Sequence, residues 1–207
     1  MTIYALKPRF QDVLRPVVTR LARLGVTANV VTIAAALGSM LVGAVAAWNA
    51  GSRGVFLIVP AWFAVRMALN AMDGMLAREF HQKSVLGGYL NEIGDVVSDA
   101  ALYAPFALVP PFGLAGIGLV IVLSIVAEFA GALGPMLGAS RRYDGPMGKS
   151  DRAVAFGGLG VWIGSTARLP AWIGWAVPAL AASLVLTAIN RVRAGSVEAN
   201  GAFTELP

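Results

Sequence analysis

Long apolar stretches separated by short polar segments dominate this chain. Six of them approach the length of about 20 residues that a helix needs to cross a bilayer. The segments between them carry Gly, Pro and most of the charged side chains, as loops do. The stretches are Val26–Trp48, Gly54–Asp73, Tyr89–Val109, Leu114–Gly134, Ala153–Thr166 and Ala171–Asn190. This pattern predicts an all-α integral membrane protein with six transmembrane helices.

The first 25 residues follow a different pattern, in which five Lys and Arg residues alternate with apolar side chains. Four apolar residues fall at helical spacing opposite the arginines: Leu14, Val17, Val18 and Leu21. This predicts an N-terminal interfacial amphipathic helix on an anionic leaflet over residues 1–25. The segment has no apolar run long enough for a cleaved secretory signal. The six-helix transmembrane domain then covers residues 26–195, and residues 196–207 form a cytoplasmic tail.

Composition supports a membrane protein. Hydrophobic residues make up 57% of the chain and charged residues 13%, with a mean hydropathy of +0.73, whereas soluble domains carry about 25% charged residues. This excludes a disordered chain and, despite the net charge of +5, a nucleic-acid partner. The absence of Cys excludes disulfides, zinc–thiolate sites and cysteine nucleophiles. Thirteen of the 16 Lys and Arg residues lie in the N-terminal segment and alternate loops, which predicts cytoplasmic termini.

Polar residues inside membrane helices are costly and usually functional, and here they gather where span two ends and span three begins. Asn70, Asp73 and Ala77 share one helix face, and Gly87, Asn91, Asp95 and Asp99 share a face of the next helix. The short connection makes the two helices antiparallel neighbours, so their polar ends meet at the cytoplasmic edge of the bilayer. Oxygen ligands from two facing helices suit a hard divalent cation, which in turn suits a diphosphate substrate.

This stretch resembles the signature of the CDP-alcohol phosphotransferase family, D-x-x-D-G-x-x-A-R followed after eight residues by G-x-x-x-D-x-x-x-D. The matching residues are Asp73, Gly74, Ala77, Arg78, Gly87 and Asp95. Asn70 and Asn91 stand at the first and third aspartate positions. The segment 25–32 also resembles the entry to the family's first span, with Ala28 where Pro is common.

The resemblance implies a membrane phosphatidyltransferase of phospholipid biosynthesis. Such an enzyme transfers a phosphatidyl group from CDP-diacylglycerol to a small alcohol, for which we expect a phosphorylated one, and releases CMP. It implies that Asp95 is the general base and that the transmembrane domain is catalytic and homodimeric. The implied metal ligands are Asn70, Asp73, Asn91 and Asp95, and the implied CDP-binding residues are Asp73, Gly74, Ala77, Arg78 and Gly87. We expect a bacterial-type inner membrane and a cytoplasmic active site.

The implied cofactor is Mg²⁺ or Mn²⁺. The family site holds two divalent ions with four aspartates, but the amide oxygens of Asn70 and Asn91 are neutral. The sequence therefore predicts one ion and leaves a second ion open.

Several other charged residues have two interpretations each. Four basic residues before span five either follow the positive-inside bias or bind the phosphate of the acceptor: Arg141, Arg142, Lys149 and Arg152. Glu128 in span four is either a site residue or a paired packing contact. Arg66 and Asp99 each lie about 6 Å deeper than a ligand position, at 1.5 Å per residue. They either form a buried ion pair that braces the site, or Arg66 turns toward the diphosphate in place of a second metal.

Two other functions stay open. The two asparagines favour a catalytically impaired relative that binds a CDP-lipid or a partner protein. Intramembrane charges also mark transport pathways, but the polar cluster lies at one edge of the membrane and no span is broken at the midplane, which disfavours a transporter.

Overall fold

The structure, a computed structural model, describes residues 6–204, with side chains from residue 10 to residue 201, and contains no strand within that range. Its α-helices are α1 (Leu6–Arg23), α2 (Ala28–Trp48), α3 (Ile58–Glu79), α4 (Val85–Tyr103), α5 (Leu114–Ala132), α6 (Lys149–Ser165) and α7 (Ala176–Thr204). Short 3-10 turns cover Arg53–Leu57, Ala104–Leu108, Gly134–Leu137 and Ala171–Trp175. The predicted all-α class is confirmed.

Within the described residues, four helical segments are long and apolar enough to cross a membrane: Ala28–Trp48, Arg53–Glu79, Leu114–Ala132 and Ala171–Gly201. These segments make the chain a membrane protein. The other two predicted spans are also helical, but α4 carries three acidic residues along its 19 residues and α6 has only 17 residues. The count of six transmembrane helices therefore stays a prediction.

Two predicted helix boundaries lie elsewhere in the structure. Span two was expected to end at Asp73, but α3 continues to Glu79. Met75 and Leu76 are fully buried in the apolar cluster that also contains Val18, so packing favours continuation of the helix past the signature aspartate. Span three ends as an α-helix at Tyr103, and a 3-10 turn over Ala104–Leu108 follows. Pro105 in this turn cannot continue the α-helical hydrogen bonds, because its nitrogen has no hydrogen to donate.

The last helix is also longer than predicted. α7 continues past Asn190 to Thr204, through most of the segment that we assigned to a cytoplasmic tail. Glu198 holds this extension, because the backbone N–H and the hydroxyl of Ser140 each donate to its carboxylate at 2.9 Å. Arg142 Nη1 lies 2.5 Å from the same carboxylate. Apolar periodicity does not reveal this contact, because Ser140 and Glu198 are 58 residues apart.

The chain divides into two compact units. The first unit comprises residues 6–44 and 61–102, and the second comprises residues 45–60 and 103–204. In the first unit, the apolar face of α1 packs in a cluster with α2 and α3 that buries Val18, Val31 and Met75. Part of the α1 face that we expected to meet lipid is therefore covered by protein, and the interfacial position of this helix stays a prediction.

The turn from α1 into α2 brings the start of α2 to the first unit's polar end. Gly25 adopts a positive φ of +76°, a conformation that glycine reaches without a steric penalty. Its N–H donates to the Ala22 carbonyl at 3.1 Å, and the Val26 N–H donates to the Leu21 carbonyl at 3.0 Å. These two bonds form the C-terminal turn known as the Schellman motif, which ends α1 sharply.

The second unit has an aromatic centre. The rings of Tyr103 and Phe156 stack with centroids 3.8 Å apart, and Phe106 packs edge-to-face on Phe156 at 5.1 Å and on Phe56 at 5.2 Å. All four rings are buried. Edge-to-face and stacked rings pack in defined orientations. These four rings therefore fix α6 against the 3-10 turns Arg53–Leu57 and Ala104–Leu108. In the same unit, α5 packs along α7.

Candidate active site

A cleft of about 400 Å³ opens in the first unit where α2 begins, α3 ends and α4 begins. Its walls include predicted site residues from both halves of the signature: Asn70, Asp73, Gly74, Ala77, Arg78, Gly87 and Asn91. The remaining lining residues were not predicted from the sequence to belong to the site: Ala28, Asn29, Thr32, Gln82, Lys83, Ser84 and Gly88. The structure thus brings the two polar helix ends to one cavity and adds the start of α2 as a third wall.

Asp73 is the acidic residue of this cleft, and its side chain is held from α2. The hydroxyl of Thr32 donates to Asp73 Oδ2 at 2.8 Å, and Asp73 is only 7% exposed. The bond fixes the orientation of the carboxylate relative to the cavity. Thr32 closes the segment 25–32 that resembles the family's first span, so a signal for it was present in the sequence.

The loop between α3 and α4 is fastened to both neighbouring helices. Gln82 Oε1 accepts the backbone N–H of Ala28 at 2.7 Å, an N–H that a proline at this position would lack. Ser84 Oγ accepts the Gly87 N–H at 2.9 Å, which caps the start of α4. A Cβ at Gly87 would lie 2.8 Å from Asn29 Oδ1, so glycine permits the close approach of α4 to α2.

Two cationic side chains lie on the cleft wall. A Cβ at Gly74 would lie 3.0 Å from Nη1 of Arg78, which means that the guanidinium folds over this glycine, the residue that follows Asp73 in the chain. Lys83 lines the same cavity from the loop. Guanidinium and ammonium groups beside a carboxylate form an environment in which a cation and an anionic phosphate ligand can bind together.

Asp95 does not line the cleft. Its main contact is Arg66, which lies one helical turn deeper on α3 than Asn70. Arg66 Nη2 lies 3.2 Å from Asp95 Oδ1 and 3.1 Å from the Asp95 carbonyl oxygen. Its other terminal nitrogen, Nη1, lies 2.5 Å from Asp99 Oδ1. Asn70 Nδ2 donates to Asp95 Oδ1 at 3.4 Å. The Arg66–Asp99 ion pair that the sequence offered as one alternative is present, and Arg66 contacts Asp95 as well. The other alternative, in which Arg66 turns toward the diphosphate in place of a second metal, stays a hypothesis.

The oxygen donors of the cleft fit one hard divalent cation. Asp73 contributes a carboxylate, and Asn70 and Asn91 contribute amide oxygens, all of which suit Mg²⁺ or Mn²⁺. Among the residues that the structure describes, no group of three or more His, Cys, Asp or Glu side chains could hold a metal. A cation here would therefore depend on the two amides in addition to the Asp73 carboxylate.

We expect Thr32→Val to weaken Mn²⁺ binding at this cleft by about 10-fold, because partners that orient a metal ligand typically change affinity by about 10–100-fold. A Mn²⁺ titration of the purified protein measures this change. Thr166→Val is the matched control, since the Thr166 hydroxyl donates at 2.9 Å to a carbonyl of its own helix, at Trp162. Equal Mn²⁺ affinity for Thr32→Val and the control would show that the hydroxyl does not orient a metal ligand.

In the second unit, Glu128 is surrounded by arginines rather than isolated. Arg152 Nη2 lies 2.9 Å from Oε1, while Arg191 Nη1 and Arg141 Nη2 lie 3.3 Å and 3.6 Å from Oε2. Arg152 and Arg191 are 1% and 2% exposed. We call these four residues the Glu128 cluster. Arg191 also donates to the Ala127 carbonyl at 2.6 Å, so a residue outside the four predicted acceptor-binding positions belongs to this network.

The other two candidate acceptor-binding residues lie outside the Glu128 cluster. Arg142 makes two hydrogen bonds to Asp144, at 2.8 Å and 3.0 Å, in addition to its contact with Glu198. The hydrogen bond from Arg142 holds the pKa of Asp144 below its ordinary value of 3.8, so the pair remains ionised at neutral pH. Lys149 is the first residue of α6. Acceptor binding by Arg141, Arg142, Lys149 and Arg152 therefore stays a prediction.

Comparison with known proteins agrees with the signature. The sequence model of the family described as CDP-alcohol phosphatidyltransferase matches residues 25–189. The chain belongs to the CDP-alcohol phosphatidyltransferase family. This family member is 44% identical over 196 residues to the inner membrane protein YnbA of Escherichia coli strain K12, with 93% of this chain and 96% of that protein covered.

Solved structures show the same fold. Phosphatidylinositol phosphate synthase of Mycobacterium tuberculosis, in complex with manganese and citrate, superimposes with a TM-score of 0.71 at 22% identity, covering 87% of each chain. A structure of the same synthase with CDP-DAG bound gives a TM-score of 0.71 at 23% identity, covering 87% of this chain and 92% of that chain. Family membership and fold make the protein a transferase and place it in the membrane, as the sequence predicted.

Proposed function

We propose that this protein transfers a phosphatidyl group from CDP-diacylglycerol to a small, phosphorylated alcohol and releases CMP, as an enzyme of phospholipid biosynthesis. The observation that carries the proposal is the cleft of the first unit. It joins the acidic residue Asp73, two amide oxygen donors and two cationic side chains in one cavity. A CDP-lipid carries a diphosphate that needs both metal and cationic partners, and the bound CDP-DAG of the mycobacterial structure supports this donor.

In this proposal, the diphosphate of the donor lies in the cleft. Asp73 and the amide oxygens of Asn70 and Asn91 would hold a Mg²⁺ or Mn²⁺ ion, which would neutralise phosphate charge when bound. Arg78 contributes a guanidinium over Gly74 that can donate to phosphate oxygens in a bidentate manner. The small residues Gly74, Ala77 and Gly87 leave space beside the backbone for the CDP group.

Asp95 is our proposed general base. The acceptor hydroxyl oxygen forms a bond to the phosphorus that carries the lipid, the bond from that phosphorus to the CMP oxygen breaks, and the hydroxyl proton passes to the Asp95 carboxylate. Arg66 fixes the position of Asp95 through both its backbone and its side-chain oxygen. A base must be held within hydrogen-bond reach of the proton that it removes, and this contact provides such rigidity.

Acceptor recognition is tested by Lys149→Ala. If the basic residues of the second unit bind an acceptor phosphate, this change should raise the KM for the acceptor several-fold and leave the KM for CDP-diacylglycerol unchanged, because a charge-assisted phosphate contact is lost. Steady-state kinetics with each substrate varied in turn measures both constants. Arg168→Ala, in the loop before the last span, is the control. Equal increases in both KM values would point to a folding or topology defect. Lys149 is a cleaner probe than Arg152, which is buried against Glu128.

A second function is favoured by one observation. Asn70 and Asn91 remove two negative charges from the positions that match the family signature. A family member with this site can bind a CDP-lipid, or a partner protein, without turning the lipid over. We keep this binding function as the alternative.

CMP release separates the two functions. Purified protein in lipid nanodiscs is given CDP-diacylglycerol, Mn²⁺ and a panel of small alcohols and their phosphates, and released CMP is measured together with CDP-lipid binding. We expect acceptor-dependent CMP release that EDTA abolishes. CDP-lipid binding without CMP release for any acceptor would support the alternative. The absence of both CDP-lipid binding and CMP release would contradict both functions. An Asp73→Asn variant is the control. CMP release that persists in this variant does not depend on the cleft.

We also propose cytoplasmic termini in an inner membrane and a homodimer. The chain has no Cys, so single cysteines can be introduced without background. Ser150→Cys should be protected from a membrane-impermeant thiol reagent in intact cells, and Ser52→Cys should react, because basic loops are retained on the cytoplasmic side. Both positions are exposed in the structure. The reverse labelling pattern would invert the topology.

A further inference from the structure

We infer that Arg66 takes the place of a second cation, so that this site holds one divalent ion at the Asp73 cleft and none between Asp95 and Asp99. The inference rests on the proposed function only for the presence of a bound divalent ion. It deepens that function by setting the number of ions and by assigning Arg66 a role.

The geometry of Arg66 is that of a bridging cation. The side chain is buried, with the residue 3% exposed, and its two terminal nitrogens face different carboxylates. Nη2 lies 3.2 Å from Asp95 Oδ1, and Nη1 lies 2.5 Å from Asp99 Oδ1. A metal ion bound between these carboxylates would meet the guanidinium at contact distance, and like charges that close repel strongly in a buried site.

Asn70 supports the same assignment through the direction of its amide. It points a donor, Nδ2, at Asp95 Oδ1 across 3.4 Å. An aspartate at this position would present only acceptor oxygens toward Asp95 and would invite a cation between the two. The amide of Asn70 instead donates a hydrogen bond toward that carboxylate. The other amide atom, Asn70 Oδ1, can then bind a cation in the cleft.

Charge balance around Arg66 also disfavours a metal ion between Asp95 and Asp99. These two carboxylates contribute two negative charges and Arg66 contributes one positive charge, which leaves a formal charge of −1. A divalent ion between the two carboxylates would leave a net positive charge beside a buried guanidinium, which is unfavourable away from water.

The test is the Mn²⁺ stoichiometry of the full-length protein in detergent, measured without substrate by equilibrium dialysis and by the electron paramagnetic resonance signal of free Mn²⁺. We expect one equivalent for the wild type and for Arg66→Lys, which keeps the charge. Arg66→Ala exposes the two carboxylates to a metal and should bind a second equivalent. Weakly coupled spins in a doubly loaded Arg66→Ala protein would further identify two neighbouring ions.

Several outcomes would overturn the inference. The first is a wild type that binds two equivalents of Mn²⁺ or none. The second is an Arg66→Lys protein that binds two equivalents. The third is a folded Arg66→Ala protein that binds only one equivalent. If Arg66→Ala does not fold, the wild type and Arg66→Lys still decide, since each must bind one equivalent. CMP release is assayed separately: one equivalent without CMP release removes only the proposed function, whereas CMP release with two equivalents removes only this inference.

Discussion

Asp95→Asn is expected to lower the rate of CMP release by about 10²–10⁴-fold, the usual contribution of a general base. The amide cannot accept the acceptor's proton, yet it has the size and shape of the carboxylate. Its oxygen can still accept the hydrogen bond from Arg66 Nη2 that the structure shows at 3.2 Å, and Arg66 keeps its partner Asp99. We therefore expect the protein to remain folded and to bind CDP-lipid at close to wild-type affinity.

The kinetic signature distinguishes a base from a structural residue. Loss of kcat with an unchanged dissociation constant for CDP-diacylglycerol, measured by titration, supports the assignment. Asp12→Asn is the matched control, because Asp12 lies exposed on α1 and pairs only loosely with Arg15, at 3.5 Å. Turnover of Asp95→Asn close to that of the control would show that another group removes the proton.

Glu128→Gln should destabilise the protein by about 3–5 kcal/mol, the cost of breaking a buried ion pair from one side. Its carboxylate lies within 3.3 Å of the buried guanidinium groups of Arg152 and Arg191. Glutamine fills the same volume but leaves both positive charges without their common anion. The change appears as a lower free energy of unfolding, and as a lower Tm in detergent.

Glu198→Gln is the comparison for this prediction. The Glu198 side chain is 39% exposed where it pairs with Arg142, and exposed ion pairs contribute little to stability because water and salt screen them. A large loss of stability at Glu128 and a small one at Glu198 would identify Glu128 as the structural centre of its cluster. If Glu128→Gln instead keeps wild-type stability and raises the KM for the acceptor, Glu128 belongs to the acceptor site.

The positions of the cleft residues could be predicted because helical spacing fixes which residues share a face. Asn70, Asp73 and Ala77 on α3, with Gly87 and Asn91 on α4, line one cavity, as their spacing indicated. Thr32 and Gln82 could not be predicted in the same way. Their partners, Asp73 and Ala28, are 41 and 54 residues away along the chain, and no periodic pattern links such positions.

Helix ends were predicted less well than helix positions, for a related reason. The apolar pattern ended span two at Asp73, and the next residue, Gly74, disfavours a helix interior by about 1 kcal/mol relative to alanine. Met75 and Leu76 are both fully buried. Burying one such side chain contributes about 1.5–3 kcal/mol, which outweighs the low helix preference of the glycine. α3 therefore continues to Glu79, and the signature lies inside the helix.

The sequence by itself determined the membrane class, the polar cluster at the junction of α3 and α4, and the family signature. These depend on side-chain polarity summed over short stretches, which the order of residues states directly. Only the tertiary structure decided that Arg66 bridges Asp95 and Asp99 and that Glu128 gathers its arginines. Ion-pair partners depend on side-chain conformation and on distances between segments far apart in the chain, and those are set only when the helices pack.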